Sequence, residues 1–150
     1  MKRILFILSS IWLFTACSSN SKQQEAEDLL TQANTLFEQR KYAEARTCID
    51  SLRRAYPNAI EARKKALTLH QTIELKCTQE ELAKTDSLLQ QVQQDFIDQQ
   101  AKVDKDKAAL RATPEELTML TQTRIKRDSL RTQCETLGAK IRYIHKKQKE

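Results

Sequence analysis

The chain has 150 residues, of which 31% are charged, and carries a formal net charge of +6 with one glycine and two prolines. So few turn formers exclude a sheet-rich fold, whose hairpins need them. A lone glycine, Gly138, excludes the glycine-rich loops that let backbone approach a phosphate. The abundance of Ala, Glu, Lys, Leu, Arg and Gln instead predicts an all-α protein built from long helices.

The chain opens with Lys2-Arg3, a short positive stretch, followed by an apolar run from Ile4 to Phe14. That run has the length of a secretory signal core and is too short to span a bilayer. Residues 1–16 therefore read as a signal peptide. Phe14-Thr15-Ala16-Cys17 resembles the bacterial lipobox, in which small residues precede a cysteine, with Phe14 standing where Leu is usual. The resemblance implies that Cys17 becomes the first residue of the mature chain and carries a thioether-linked diacylglycerol. Each buried methylene of such an anchor contributes ~0.8 kcal/mol, and two or three acyl chains hold a protein firmly. Ser18 follows the cysteine, which in the enterobacterial sorting pattern looks like an outer-membrane address. Residues 17–24 are polar and predict a lipidated tether reaching at most ~25 Å when extended.

Residues 25–78 predict a helical hairpin with a covering helix. Ala33, Leu36, Tyr42, Ala45, Ile49, Leu52 and Pro57 fall at the spacing of one tetratricopeptide (TPR) repeat. Ala33 and Ala45 are small where two antiparallel helices would approach, Tyr42 would pack at their turn, and Pro57 would end the second helix. This stretch resembles the repeats of envelope lipoproteins such as the helical component of the outer-membrane β-barrel assembly machinery, over about residues 25–57. The next 34 residues do not repeat the pattern, because Lys76 and Gln79 stand where Tyr and Ala would recur. One repeat cannot bury its apolar face alone, and the stripe Ala59, Ala62, Ala66, Leu69 and Ile73 is placed to cover it. On the inner face of the first helix, the repeat reading would set Leu30, Asn34 and Phe37 as a peptide-binding surface. The competing reading makes Leu30 and Phe37 core.

Residues 79–150 predict a long antiparallel two-helix coiled-coil hairpin. Leu75, Leu82, Leu89, Phe96, Val103 and Leu110 recur at strict spacing of seven, a coiled-coil file. A continuous or bent helix through this region competes with a break at Thr78, where Thr78-Gln79-Glu80-Glu81 has the form of a capping box. Thr113-Pro114-Glu115-Glu116 starts the final helix: Thr113 can cap, Pro114 suits the first turn, and acids follow where the helix dipole favours them. Leu130, Cys134, Leu137, Ile141 and Ile144 form its apolar stripe. Folding about residue 113 sets Phe96 opposite Leu130, Leu89 opposite Leu137 and Leu82 opposite Ile144. The companion file Thr78, Thr85, Val92, Gln99 and Asp106 is mostly polar, so the seam is thin.

Charge is distributed unevenly. From Arg124 to Glu150 there are nine Lys or Arg against three acids, and from Glu80 to Lys107 seven acids against four bases. These are two solvated faces of opposite sign lying side by side, or a basic tip for an anionic surface formed by Lys140, Arg142, Lys146, Lys147 and Lys149.

Cys48, Cys77 and Cys134 lie at positions that the two hairpins do not bring together, so no intramolecular disulfide is expected. His70 and His145 have no neighbouring ligand pattern, and neither a metal nor a cofactor is expected. No nucleophile, base and orienter can be nominated together. The sequence thus predicts a non-enzymatic, membrane-anchored helical scaffold or adaptor of the bacterial cell envelope, most consistent with the outer membrane. It would act on a protein partner or by self-association, with no nucleic acid and no small-molecule substrate. The alternative is a basic helical module binding anionic lipid or cell-wall polymer.

Overall fold

The computed structural model describes residues 16–150, with side chains described from residue 21 onward. The fold is all-α. Four helices make up the described residues: α1 (Ala16–Glu38), α2 (Tyr42–Ala55), α3 (Ile60–Ala108) and α4 (Pro114–Lys147). They divide into two compact units, the first ending at Ile73 and the second starting at Glu74.

In the first unit, α1 and α2 form an antiparallel hairpin. Ala26, Leu30 and Ala33 of α1 and Ala45, Ile49 and Leu52 of α2 are buried between them and the start of α3. The small residues let the backbones approach, while Ile49 and Leu52 supply apolar volume. The turn is closed by Arg40 in the left-handed region at φ 60°. The Lys41 N–H donates to the Leu36 carbonyl and the Arg40 N–H to the Phe37 carbonyl, both at 2.9 Å, which is a Schellman ending. The Phe37 and Tyr42 rings meet across this turn at 5.9 Å. At the other end α2 stops at Ala55, two residues before Pro57. The stripe Ala59, Ala62, Ala66, Leu69 and Ile73 of α3 is buried, and Lys65 of the same helix pairs with Glu27 of α1 at 3.2 Å.

The polar segment 17–24 is the stretch read as a lipidated tether. Its backbone is helical, because α1 begins at Ala16. It contains neither Pro nor Gly, and hydrogen bonds from Ser21 Oγ to Glu25 (3.1 Å) and from Gln24 Nε2 to Asp28 (3.1 Å) brace its surface one turn at a time. As a helix it spans about 12 Å rather than ~25 Å.

In the second unit, α4 runs antiparallel to the later part of α3, as the Lys102–Glu116 and Glu74–Lys140 pairs require. There is no break at Thr78. Its side chain is 1% exposed, and its hydroxyl donates to the Glu74 carbonyl at 2.7 Å within the helix, so it caps nothing. Val92 and Val103 are buried from α3, and Leu130 and Ile144 from α4. Between them lie half-buried polar residues: Thr85, Gln99, Asp106, Glu116, Thr123 and Arg127. The Gln99 carbonyl oxygen is buried there without a donor.

Two details depart from the heptad expectation. Leu110 does not extend the seam: it is 95% exposed and adopts φ 54° just past the end of α3. The Asp106 carbonyl takes the Arg111 N–H (2.7 Å) and the Lys107 carbonyl takes the Leu110 N–H (3.0 Å), a second Schellman ending. The register is also displaced by about one turn. Phe96 faces Arg127 rather than Leu130, Lys102 pairs with Glu116 at 2.7 Å, and Glu74 with Lys140 at 3.3 Å. Val92, Leu130, Thr78 and Ile144 are all buried along this pair of helices. The cause lies in the turn. Ending α3 at Ala108 moves the fold point ahead of Thr113, which is the N-cap of α4 rather than the middle of the loop.

Candidate functional site

Of residues 1–16, read as the signal peptide, residues 1–15 lie outside the described residues. Cys17 belongs to the first turn of α1. Helix geometry puts it about 12 Å from Glu25, and Glu25 marks where α1 meets the far end of α2. The Tyr56 hydroxyl, just past α2, donates to a Glu25 carboxylate oxygen at 2.8 Å. That bond, with a second from Ser21, holds the Glu25 carboxyl below its usual range and pushes the Tyr56 phenol up. The α2–α3 turn therefore lies at the same end of the first unit as the start of α1.

The three residues considered for peptide binding do not form one open surface. Leu30 is 5% exposed and belongs to the core. Phe37 is half-buried against Tyr42. Asn34 is exposed, and its Nδ2 donates to the Leu30 carbonyl of its own helix at 2.9 Å. Glu27 of the same helix pairs with Lys65 of α3 at 3.2 Å.

The basic residues near the C-terminal end of α4 are exposed, but two have acidic partners. Lys140 pairs with Glu74, and Lys147 with Glu150, which raises the Lys147 ammonium above its ordinary value. Arg142, Lys146 and Lys149 are exposed beside them.

Among the described residues no group of His, Cys, Asp or Glu could hold a metal. Cys48, Cys77 and Cys134 are half-buried thiols on α2, α3 and α4. No described helix is long and apolar enough to cross a membrane.

One cluster was not singled out by sequence reasoning. Asp50, Arg53 and Arg54 of α2 and Arg63 of α3 line an open groove. Arg53 and Arg63 also line a second groove with Ile60, Lys64 and Leu67. The Arg63 guanidinium donates to the Pro57 carbonyl at 2.7 Å, which fixes it over the turn. The sequence signal is the placement of Arg53-Arg54 three to four residues before Pro57 and Arg63-Lys64 six to seven after it, flanks that antiparallel helices bring together. Comparison with protein-family models, with curated proteins and with solved structures gives no match to this chain.

Proposed function

We propose that this chain is a lipid-anchored protein of the bacterial cell envelope, acylated at Cys17, whose helices act as a non-enzymatic scaffold or adaptor. The observation that carries this reading is the order Lys2-Arg3, apolar Ile4 to Phe14, then Thr15-Ala16-Cys17. It combines a signal core too short to span a bilayer with a cysteine in lipobox position. The α1–α2 hairpin, closed by Phe37 on Tyr42 and covered by α3, is the TPR-like unit of this scaffold. The α3–α4 pair is its antiparallel coiled-coil arm.

A protein partner or a second copy is favoured by the make-up of the arm. Its seam alternates buried apolar residues with half-buried polar ones, while Ile97, Met119, Ile125 and Tyr143 remain exposed on its outside. Such scattered apolar positions suit contact with another helix. Outer-membrane placement is the expectation that Ser18 supports.

Metabolic labelling with a fatty-acid analogue tests the anchor. The mature chain should be tagged, and Cys17→Ser should abolish both the tag and the membrane fractionation. An untagged chain that fractionates identically with and without Cys17 would sink the reading. Crosslinking with mass spectrometry in intact cells tests the scaffold role, which predicts reproducible crosslinks from α3 or α4 to one protein or to a second copy.

A further inference from the structure

The first unit carries a basic groove at the end where the lipid anchor would enter, and the geometry points to this end as a surface that docks on anionic phospholipid. The inference rests on the Cys17 anchor reading.

Four cations, Arg53, Arg54, Arg63 and Lys64, gather around the α2–α3 turn, set against Asp50 and Glu61. The two grooves they line are contiguous, since both include Arg53 and Arg63. The second has an apolar side: Ile60 is 61% and Leu67 49% exposed, both on the face that also carries Lys64. Guanidinium forks match phosphate oxygens in pairs, and the long aliphatic stems of Arg and Lys lie comfortably along acyl boundaries while their heads stay hydrated. Three arginines and Lys64, the last paired with Glu61 at 2.9 Å, beside exposed Ile60 and Leu67 are therefore complementary to a phospholipid interface, with its anionic heads and apolar interior.

Position selects the occupant. An acidic peptide could satisfy the same charges, but it would have to arrive by diffusion. The bilayer is delivered by the chain itself. The Tyr56–Glu25 hydrogen bond fixes the turn beside α1, and Glu25 is about 12 Å along the helix from Cys17. A diacylglycerol on Cys17 thus holds the cluster within about one headgroup layer of the membrane, at high effective concentration. Such docking gives α1 a fixed orientation at the membrane, where an acyl anchor alone would leave it free to swivel.

The test uses the processed chain purified from membranes, carrying Ile60→Trp and reconstituted into vesicles of phosphatidylcholine with or without phosphatidylglycerol. Fluorescence is read as the difference from the parent chain, which cancels any contribution of Trp12 from unprocessed material. On vesicles containing phosphatidylglycerol at low salt, the introduced indole should emit at shorter wavelength and be quenched by brominated lipid. Both effects should disappear on pure phosphatidylcholine and at high salt. In an Arg53→Gln, Arg54→Gln, Lys64→Gln variant with unchanged helicity, the docked-to-free ratio should fall about fivefold per charge removed. Water-like emission on every vesicle overturns the proposal, as does a shift indifferent to phosphatidylglycerol. So does a shift induced by polyglutamate but not by vesicles, which would identify a peptide site. The mass of the mature N-terminus separates this from the anchor reading. Unmodified Cys17 with the lipid response intact removes the anchor alone. Acylated Cys17 with no response removes only the docking surface, and failure of both measurements removes both.

Discussion

The guanidinium carbon of Arg127 lies 4.2 Å above the ring centre of Phe96, so the α3–α4 pair sets a cation, not an aliphatic side chain, on this ring. The same guanidinium donates twice to Asp128, at 2.9 and 2.7 Å, which holds that carboxyl below its usual range and keeps the positive charge aligned over the ring. A double-mutant cycle with Phe96→Leu and Arg127→Met should give a coupling of about 0.5–1 kcal/mol in urea unfolding. A register one turn away separates the pair and predicts none, so the cycle also reads out the pairing of α3 with α4.

The hairpin end of the arm should loosen in acid. Glu116 accepts from Lys102 and from the Thr113 backbone, and these bonds hold its carboxyl below the ordinary range, while Lys102 is raised by the same contact. Folding thus weakens proton binding at Glu116. Its contribution to stability is complete above the unfolded carboxylate value of about 4.3 and drains away as pH falls through the lower folded value. The Lys102 side has the opposite sense: its contribution is complete below the ordinary ammonium value and is lost as pH rises through the raised one. Urea midpoints measured from pH 3 to 7 should rise with pH, and Glu116→Gln should flatten that slope. An equal slope in both chains would contradict the assignment.

Truncation of the buried residues in the first unit should be costly. Ile49 and Ile73 are wholly enclosed, and replacing either with Ala removes methylenes and leaves a cavity, for a loss of about 2–4 kcal/mol. Enlarging Ala62 to Leu, where α3 sits close against the hairpin, should cost about 1–3 kcal/mol by overpacking. Thermal unfolding followed by circular dichroism measures both changes.

Glycine should stabilise the two turns. Arg40 and Leu110 hold positive φ, a conformation that burdens any residue with a Cβ and a bulky one most. Leu110→Gly should gain about 0.5–1 kcal/mol and also remove an exposed aliphatic side chain, and Arg40→Gly should gain a similar amount. Unchanged or lower unfolding midpoints would show that the Schellman endings are not strained.

Much of this architecture is legible in the sequence where side-chain size and periodicity decide the outcome. The stripe from Ala59 to Ile73 reads directly as a buried face, and Thr113-Pro114 as a helix start: Thr113 accepts from the Glu116 N–H and Glu116 from the Thr113 N–H. Legibility ends where backbone hydrogen bonding decides. Leu110 satisfies the heptad period, yet the carbonyls of Asp106 and Lys107 capture the following N–H groups and end the helix first. The register error follows from the same event, since shifting the turn changes every pairing down the arm. The helical backbone of segment 17–24 is not legible, because polarity without periodicity says nothing about helix when no breaker is present. The two basic pairs of the Arg53–Lys64 cluster stand in the sequence on either side of Pro57, but composition alone does not show that the α2–α3 turn joins them into one groove.

The polar interludes along the α3–α4 seam have a mechanical consequence. Both ends of this hairpin, Glu74 and Glu150, emerge on the same side, so a pull applied there peels the helices apart like a zipper instead of sliding them in shear. Layers then rupture one after another, and those built on Thr85, Gln99 or Asp106 resist least. The arm should yield gradually at low force and close again when released, behaving as a compliant link rather than a rigid strut.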